Sequence, residues 1–140
     1  MVREVYSNAH DGTDNRRVNG AREANRQVQS FKWSPDGSHI AYVADQDTDN
    51  VYELYSSAPD GLDNQKVDGP LADGGFGFVA SFLWSPDGTR IAYLADQDDA
   101  LVWELYSSLP NGMDNHKVHG SLRRPTGEVG IYAWSPVPAP

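Results

Sequence analysis

The chain has 140 residues, no cysteine and a formal net charge of −9. The lack of cysteine excludes disulfides and thiolate metal sites, and the acidic balance disfavours binding to nucleic acid, whose phosphates need a basic surface. No apolar run reaches the ~20 residues of a transmembrane helix. We therefore expect neither a nucleic-acid partner nor a membrane partner.

Residues 2–20 are predicted to form two short strands. Their register follows from later repeats, because Glu4–Ser7 matches Glu53–Ser56, and Asp14-Asn15 matches Asp63-Asn64. We name the four strands of a repeat unit A to D. Residues 2–20 are then predicted to hold strands C and D of a unit whose strands A and B are missing.

The first complete unit is predicted over residues 21–69. The sequence Trp33-Ser34-Pro35-Asp36-Gly37 ends strand A in a tight turn, because Pro presets φ and Gly accepts the positive φ that closes the turn. Ile40–Val43 is a β-prone run that forms strand B, and Val51–Tyr55 forms strand C. Lys66-Val67 lies in a short polar segment, which is typical of an outer edge strand and forms strand D.

A second complete unit, over residues 70–120, repeats this pattern. Trp84 opens the same Trp-Ser-Pro-Asp-Gly turn, and Leu101–Tyr106 is the second strand C. A third Trp-Ser-Pro sequence begins at Trp134, so residues 131–136 are predicted to form strand A of a further unit. The tryptophans Trp33, Trp84 and Trp134 recur with a period of about 50 residues, and we expect them to pack between units. Trp103 replaces Tyr52 of the first unit and is also interpreted as a packing residue.

The four-stranded repeats predict an all-β fold, a β-propeller in which each unit is one blade. No segment has the sustained 3.6-residue apolar period of a helix. The chain is predicted to be a single propeller segment over residues 1–140 with about 2.75 four-stranded blades. It divides into strands C and D of a composite blade (2–20), two whole blades (21–69 and 70–120) and strand A of a composite blade (121–140).

The sequence Trp-Ser-Pro-Asp-Gly-x-x-Ile-Ala-Tyr, followed by Glu-Leu-Tyr, resembles the repeat of the TolB-like β-propeller family. Similar repeats occur in tricorn-like proteins and in the propeller domains of prolyl oligopeptidase relatives. The resemblance implies a six-bladed ring and suggests a periplasmic or extracellular location, which the residues themselves leave unknown. It identifies the blade and says little about function.

The incomplete blades at both ends of the sequence predict an assembly. Strand A near Trp134 of one chain can join strands C and D of another, so that two chains complete six blades, and we expect a homodimer. Open blades would expose apolar faces and sheet edges. The alternative is that the chain is a propeller fragment of a larger protein, for example one in which the propeller gates a hydrolase domain.

The acidic loops between strands B and C are candidate metal sites. Alternating carboxylates supply oxygen ligands to Ca²⁺, and the candidate ligands are Asp45, Asp47, Asp49, Asp96 and Asp98. Asn50 and Ser56 stand where an EF-hand loop needs Gly and Glu, so an EF-hand is not expected. We favour Asx turns in a solvated loop and expect no cofactor, with a looser Ca²⁺ site as the alternative.

The connections between strands D and A differ most from unit to unit, and variable loops on a rigid scaffold are where binding is expected. One connection carries Phe76 and Phe78, which are candidate hydrophobic anchors for a partner. Another carries Arg123 and Arg124, which are candidate binding residues. These four residues are the predicted binding-loop positions.

The sequence carries no motif for catalysis. It has no Gly-x-Ser-x-Gly nucleophile elbow and no Gly-rich loop that opens a helix. Glutamates recur at one position of strand C, at Glu4, Glu53 and Glu104, and we interpret them as structural because function usually breaks internal symmetry. The predicted function is a non-catalytic scaffold that binds a protein or small ligand and self-assembles by strand sharing. A calcium- or glycan-binding propeller is a further alternative.

Overall fold

The computed structural model describes residues 2–20, 26–72, 77–120 and 132–135, in which there are ten β strands and no helix. The strands are β1 (Tyr6–Ser7), β2 (Arg16–Arg17), β3 (Val28–Trp33), β4 (Ile40–Ala44), β5 (Glu53–Ser57), β6 (Gln65–Lys66), β7 (Val79–Trp84), β8 (Ile91–Ala95), β9 (Glu104–Ser108) and β10 (His116–Lys117). We call the three sheets blade 1 (β1-β2), blade 2 (β3-β4-β5-β6) and blade 3 (β7-β8-β9-β10). A helix long and apolar enough to span a membrane is not found in these residues.

Both complete blades have strands A to D in the predicted antiparallel order. Tyr42 of β4 pairs with Tyr55 of β5, and Tyr93 pairs with Tyr106 at the same place in blade 3. In each pair the ring centroids lie 5.6 Å apart in a stacked arrangement. The repeat in the sequence is therefore a repeat in strand register, and cross-strand aromatic pairs stabilise both sheets.

A tight turn joins β3 to β4, and its residues explain its shape. Gly37 has a φ of 72°, which residues other than glycine rarely adopt. The Asp36 carboxylate accepts hydrogen bonds from Ser34 Oγ at 2.7 Å and from the Ser38 N–H at 3.0 Å. Because these bonds stabilise the charged form, above all the bond from Ser34, they lower the pKa of Asp36 to about 2. The turn after β7 has the same hydrogen bonds.

Strand C of blade 2 begins later than the sequence predicts. The predicted start is Val51, whereas β5 begins at Glu53. Tyr52 instead forms a parallel bridge with Phe78 of blade 3, and its N–H donates to the Gly77 carbonyl at 3.1 Å. Tyr52 thus connects blades 2 and 3. The sequence pattern of strand C alone does not indicate this contact.

Two hydrophobic clusters lie between successive blades. The cluster between blades 1 and 2 contains Val5, Val18, Val28, Ile40, Tyr42, Ala44 and Tyr55. The cluster between blades 2 and 3 contains Ala41, Val43, Leu54, Val67, Val79, Phe82, Ile91, Tyr93, Ala95 and Tyr106. Successive residues of β4 point to opposite faces of the sheet, so blade 2 contributes to both clusters. Face-to-face packing of four-stranded antiparallel sheets in chain order is the arrangement of a β-propeller.

The repeated tryptophans lie at contacts between blades in two of the three cases. Trp84 Nε1 donates to the carbonyl of Lys32 at 3.2 Å, and Trp134 Nε1 donates to the carbonyl of Leu83 at 3.1 Å. Trp33 is 46% exposed, so the prediction that it packs between blades is wrong for the described part of the chain. The reason is that blade 1 has only strands C and D there, and Trp84 makes its contact with a strand A.

Residues 132–135 belong to no strand, although the sequence predicts strand A at residues 131–136. Tyr132 Oη lies 3.1 Å from Ser81 Oγ of β7, so the segment lies against blade 3. A strand A is held by its ladder to strand B of the same blade, and the described residues supply no such strand beside this segment. Side-chain hydrogen bonds connect it to β7 instead.

The recurrent glutamates of strand C have structural partners. Each forms a salt bridge with a basic residue of strand D in the same blade, in the pairs Glu4–Arg17, Glu53–Lys66 and Glu104–Lys117. The Tyr55 hydroxyl also donates to Glu53 at 2.7 Å. These contacts agree with the structural interpretation of the three glutamates.

Candidate binding face

The loops between strands B and C and the connections between strands D and A lie on one face of the blades. Asp45 begins a B–C loop and accepts a hydrogen bond from the N–H of Gln27, just before strand A, at 2.5 Å. Asp96 accepts a hydrogen bond from the N–H of Phe78 in the same way, at 3.1 Å. Hydrogen bonds from backbone N–H groups to aspartate side chains thus join the two kinds of loop, and we call their common surface the binding face.

An aromatic groove opens on the binding face between blades 2 and 3. Phe78 lies between Tyr52 and Trp103, with ring centroids 5.9 Å and 5.7 Å away, and both contacts are edge-to-face. The cavity over these rings has a volume of about 490 Å³, which is within the range of small-ligand pockets. The rest of its lining comes from Asp49, Asn50, Gly77, Asp96 and Leu101.

Leu101 stands exposed at the rim of the aromatic groove. Its side chain is 78% exposed, and its φ of 63° lies in the left-handed region, which is unfavourable for leucine. Asn50 occupies the same position in the preceding B–C loop with a φ of 61°, and asparagine tolerates this conformation. Leu101 is thus a strained and exposed apolar residue at the rim of the groove.

Two of the predicted calcium ligands, Asp45 and Asp96, are buried caps of their loops, at 2% and 3% exposure. Besides the bonds described above, Asp45 Oδ2 accepts from the N–H of Asn50 at 3.5 Å, and Asp96 Oδ2 accepts from the N–H of Leu101 at 3.4 Å. Both oxygens of each carboxylate therefore face backbone donors of the protein. These bonds come from residues five and eighteen positions away, so they differ from the Asx turns that the sequence favours, in which the side chain accepts the N–H two residues on.

The other three acidic candidates do not converge on one point. Asp98 forms a salt bridge with Lys117 at 2.6 Å. The hydrogen bonds that Lys117 donates to Asp98 and, with a smaller effect, to Glu104 raise the pKa of Lys117. Asp47 and Asp49 are exposed. Among the residues that the structure describes, no group of three or more His, Asp or Glu side chains is arranged to hold a metal ion.

Of the predicted binding-loop positions, Phe78 lies at the centre of the aromatic groove. Phe76, Arg123 and Arg124 lie outside the described residues. Sequence reasoning does not identify Tyr52, Trp103 or Leu101 as site residues. The available signal is the aromatic residue that directly precedes strand C in both complete blades, beside the most variable connections.

Solved structures similar to this chain include proteins of two kinds. A protein assigned as TolB from Agrobacterium tumefaciens superposes with a TM-score of 0.57 at 15% identity, over 81% of this chain and 40% of that protein. An oligogalacturonate lyase in complex with manganese superposes with a TM-score of 0.53 at 24% identity, over 81% and 28% of the two chains. For an oligogalacturonate lyase from Vibrio parahaemolyticus the TM-score is 0.50 at 21% identity, over 80% and 28%. No protein-family profile and no curated protein sequence matches the chain.

The chain has a TolB-like β-propeller fold. It spans 40% of the length of the TolB structure and 28% of the length of each lyase structure. At these identities the likeness concerns the fold, and function must be argued from the site.

A hydrogen-bonded cluster next to the binding face joins successive blades, and we call it the Tyr–Gln–Asn clamp. Tyr42 Oη donates to Gln46 Oε1 at 2.6 Å, and Gln46 Nε2 donates to Asn64 Oδ1 at 2.9 Å. The clamp reaches blade 1, because the N–H of Gly20 donates to Gln46 at 2.7 Å and Asn64 Nδ2 donates to the Val18 carbonyl at 3.3 Å. Burial raises the pKa of Tyr42 to about 12. Blade 3 has the same clamp, formed by Tyr93, Gln97 and Asn115.

Asp68 is a buried carboxylate that follows β6. Its Oδ1 accepts the N–H of Leu54 at 3.2 Å, whereas its Oδ2 is buried without a hydrogen-bond partner among the described residues. Burial raises the pKa of Asp68 to about 8, although the charge of Lys66 acts in the opposite direction. Asn19 holds the same position in blade 1, where its Oδ1 accepts the N–H of Val5 at 2.9 Å. A neutral amide therefore makes the same contact without burying a charge.

Proposed function

We propose that the chain is a non-catalytic TolB-like propeller segment that binds an apolar side chain of a protein partner in the aromatic groove. The proposal rests on the cavity of about 490 Å³ over Tyr52, Phe78 and Trp103 and on the exposed Leu101 at its rim. Aromatic side chains provide a large contact area and dominate the energetics of many interfaces. The groove lies on variable loops that a rigid sheet scaffold holds in place, which is where binding sites concentrate.

Charge around the groove narrows the class of partner. The exposed Asp49 lines the groove, and the chain carries a net charge of −9. An acidic surface attracts basic partners and repels acidic ones. We therefore infer a partner segment with an aromatic or aliphatic anchor flanked by lysine or arginine. Acidic oligosaccharides are disfavoured for the same reason.

Groove binding can be followed through the indole N–H signals of the four tryptophans in an NMR titration. The first probe is a short lysine-flanked phenylalanine peptide, and a neutral oligosaccharide is the second. We expect the peptide to shift the Trp103 signal saturably. The Trp84 signal should stay unchanged, because its N–H is bonded to Lys32 at the blade contact. A Trp103→Phe variant assigns the signal.

The matched control for this titration is Leu101→Asn, which installs the residue found at the same position of the preceding loop. We expect this variant to keep its fold and to bind the peptide more weakly. The proposal is wrong if the peptide leaves the Trp103 signal in place, or if Leu101→Asn binds the peptide as tightly as the unchanged chain. A shift with the oligosaccharide alone would support the glycan-binding alternative instead.

We also propose that two copies of the chain complete one ring. Val18 and Val67 of strand D are fully buried between blades, whereas Val118 at the same position of blade 3 is 52% exposed. In blades 1 and 2 the next blade covers this valine. The exposure of Val118 therefore supports the proposal that a further blade packs here in the assembled ring.

The turn between strands C and D of blade 1 carries a glycine at the position where the turns of blades 2 and 3 pack on the preceding blade. A Cβ added to Gly61 would overlap the carbonyl of Arg17, and one added to Gly112 would overlap the carbonyl of Lys66, so each glycine lets a turn pack on the preceding blade. Gly12 has the same position in blade 1, and none of the described atoms lies within 4 Å of a Cβ placed there. The turn at Gly12 of one copy thus matches β10 of another copy.

Light scattering tests the two-copy ring. We expect a mass of about twice 15.4 kDa, and we expect Val118→Arg to shift the chain towards the monomer because it places a charge in the contact. A stable 15.4 kDa monomer would contradict the ring. It would support the second candidate, in which these blades belong to a larger propeller protein. The chain spans only 40% of the TolB structure and 28% of the lyase structure, and this difference in length favours that candidate.

A further inference from the structure

A second pocket lies between blades 2 and 3, on the face opposite the binding face. The turns from strand A to B and from strand C to D meet there, because antiparallel strands place them at the other strand ends from the B–C loops. The pocket has a volume of about 290 Å³, and we call it the His39 pocket. Its lining includes His39, Ser56 and Asp63 of blade 2 and Pro110 and Asn111 of blade 3.

In blade 3 the equivalent place is filled by the side chain of Arg90, which holds the sequence position of His39. Arg90 Nε donates to Ser107 Oγ at 2.8 Å. One terminal nitrogen donates to the Asp114 carboxylate at 2.7 Å, and the other donates to the Asp114 carbonyl at 2.9 Å. A hydroxyl, a carboxylate and a backbone carbonyl thus bind the planar fork of donors that a guanidinium presents.

Blade 2 keeps the acceptor side chains of this arrangement and has no arginine between them. The residues that correspond to the two partners of Arg90 are Ser56 and Asp63. His39 Nδ1 lies 2.9 Å from Ser38 Oγ, and in the described part of the chain the ring bonds to neither partner residue. The His39 pocket is therefore the space that a guanidinium occupies in blade 3.

The hydroxyl of Ser56 is buried without a partner. Ser56 is 2% exposed, and its Oγ has no hydrogen-bond partner among the described residues. The equivalent hydroxyl of blade 1, on Ser7, donates to the Pro59 carbonyl, and that of blade 3 accepts from Arg90. An unpaired buried hydroxyl is uncommon, because nothing compensates the loss of its bonds to water. Since Ser56 lines the pocket, a donor bound there can supply the missing partner.

The carboxylate of Asp63 lacks the cationic partner that its equivalents have. The aspartates at the same position of blades 1 and 3 form salt bridges with arginine, in the pairs Asp14–Arg16 and Asp114–Arg90. Within the described residues the exposed Asp63 accepts one side-chain bond, from the neutral amide of Gln65 to Oδ1 at 2.6 Å. Its Oδ2 can therefore accept from a ligand, and a charged donor forms the stronger bond.

We propose that the His39 pocket binds the guanidinium group of an arginine side chain that belongs to another polypeptide. The Asp63 carboxylate and the Ser56 hydroxyl accept from the guanidinium nitrogens, as their equivalents accept from Arg90. The half-buried Pro110 lines the pocket and can pack along the methylene stem of the arginine. The site is independent of the aromatic groove, which lies on the opposite face. It is also independent of the two-copy ring, because both of its blades belong to one chain.

The test is an NMR titration of the 140-residue chain with the tripeptide Gly-Arg-Gly, blocked at both ends. We expect saturable shifts of the backbone amide signals of Asp63 and Asn111. The amide signal of Asp114 should stay in place, because Arg90 occupies the equivalent site of blade 3. Tripeptides with citrulline or lysine in place of arginine are the controls. Citrulline lacks the charge and lysine lacks the planar fork, so both should bind on the order of tenfold more weakly.

Three variants of the chain locate the site. Asp63→Asn removes the charge and should weaken tripeptide binding on the order of tenfold, and asparagine tolerates the φ of 56° at this position. Ser56→Ala should weaken binding to a smaller degree without loss of stability, because the hydroxyl has no partner among the described residues. His39→Arg installs the residue of blade 3, whose own guanidinium should fill the pocket and abolish tripeptide binding.

The proposal is overturned if Gly-Arg-Gly causes no saturable shift, or if the citrulline or lysine tripeptide binds as tightly. It is equally overturned if Asp63→Asn or His39→Arg, with sheet content verified by circular dichroism, binds the arginine tripeptide like the unchanged chain. An equal shift of the Asp114 signal would indicate general attraction to an acidic chain and would also overturn it. The Trp103 signal reports on the groove and light scattering reports on the ring, so each proposal fails separately.

Discussion

The indole N–H of Trp84 donates at 3.2 Å to the carbonyl of Lys32, the residue before Trp33 in the preceding blade. The same contact recurs at 3.1 Å between Trp134 and Leu83, the residue before Trp84. In both cases the tryptophan of one Trp-Ser-Pro repeat bonds to the residue just before the tryptophan of the preceding repeat. The carbonyl that would accept the N–H of Trp33 belongs to strand A of blade 1. The described residues of blade 1 include only strands C and D, and Trp33 is therefore exposed.

Because only Trp84 makes the blade-to-blade hydrogen bond, Trp84→Phe and Trp33→Phe are expected to lower the free energy of unfolding by different amounts. Trp84→Phe removes the N–H donor and is expected to lower the free energy of unfolding by about 1 kcal/mol, the typical value of one hydrogen bond. Trp33→Phe removes a donor from a side chain that is 46% exposed, and it should change the free energy by less than about 0.5 kcal/mol. Urea denaturation of both variants and of the unchanged chain, at one protein concentration, measures both. Equal losses there would contradict the assigned contact.

Asp68→Asn is expected to stabilise the chain at neutral and alkaline pH. Burial raises the pKa of Asp68 to about 8 from the ordinary 3.8, so the folded chain holds a proton that the unfolded chain releases. Stability therefore falls as pH rises from about 4 to about 8 and is level above that range. The variant removes this loss, and we expect a gain of about 1–3 kcal/mol at pH 8 and little gain at pH 4. Urea denaturation at both pH values measures the difference.

The reciprocal change, Asn19→Asp, is the control for this pH dependence. It replaces the neutral amide of blade 1 with a carboxyl group at the same position, where the side chain accepts the N–H of Val5. The variant should become less stable than the unchanged chain as pH rises above about 4. If neither substitution alters the slope of stability against pH, the buried position does not titrate in the way described.

The fold is largely predictable from the sequence because its signals are local. The Ser34–Ser38 turn and the β-prone runs beside it specify strands A and B without reference to distant residues. The order of the four strands then follows from hairpin connectivity. These features repeat in both complete blades, so each copy supports the interpretation of the other.

Contacts between repeats are much harder to predict, because they join residues far apart in the chain. Tyr52 pairs with Phe78 of the next blade and therefore does not belong to strand C. The Tyr–Gln–Asn clamp combines residues of three different segments, so no single motif shows it. The aromatic groove arises from the same kind of contact, since Phe78 meets an aromatic residue of each complete blade.

We expect the stability of the chain to depend on Asp45 of the first acidic loop and not on calcium. Asp45→Ala leaves the part-buried N–H of Gln27 without its acceptor and is expected to cost about 1–3 kcal/mol of stability. Asp49→Ala, in the same loop but exposed, should cost less than about 0.5 kcal/mol. Millimolar Ca²⁺ or EDTA should leave the melting temperature of the chain unchanged. A rise in melting temperature with Ca²⁺ that EDTA reverses would show that a metal site exists.

Leu101→Asn is expected to raise stability and lower groove binding at the same time. The φ of 63° at Leu101 is unfavourable for leucine, whereas Asn50 adopts nearly the same angle in the preceding loop. Relief of this strain should increase the free energy of unfolding by about 1 kcal/mol. The same change removes an apolar side chain that is 78% exposed at the rim of the groove. Urea denaturation and the peptide titration on one protein sample measure the two effects together.

Leu101→Ala separates the contribution of backbone strain from that of the side chain. Alanine is also disfavoured in the left-handed region, so this variant should gain little or no stability. It should nevertheless lose peptide affinity, because it removes most of the apolar side chain at the rim. A gain of stability with alanine equal to the gain with asparagine would mean that removal of exposed apolar surface, and not relief of strain, stabilises the chain. Unchanged peptide affinity in both variants would exclude Leu101 from the binding site.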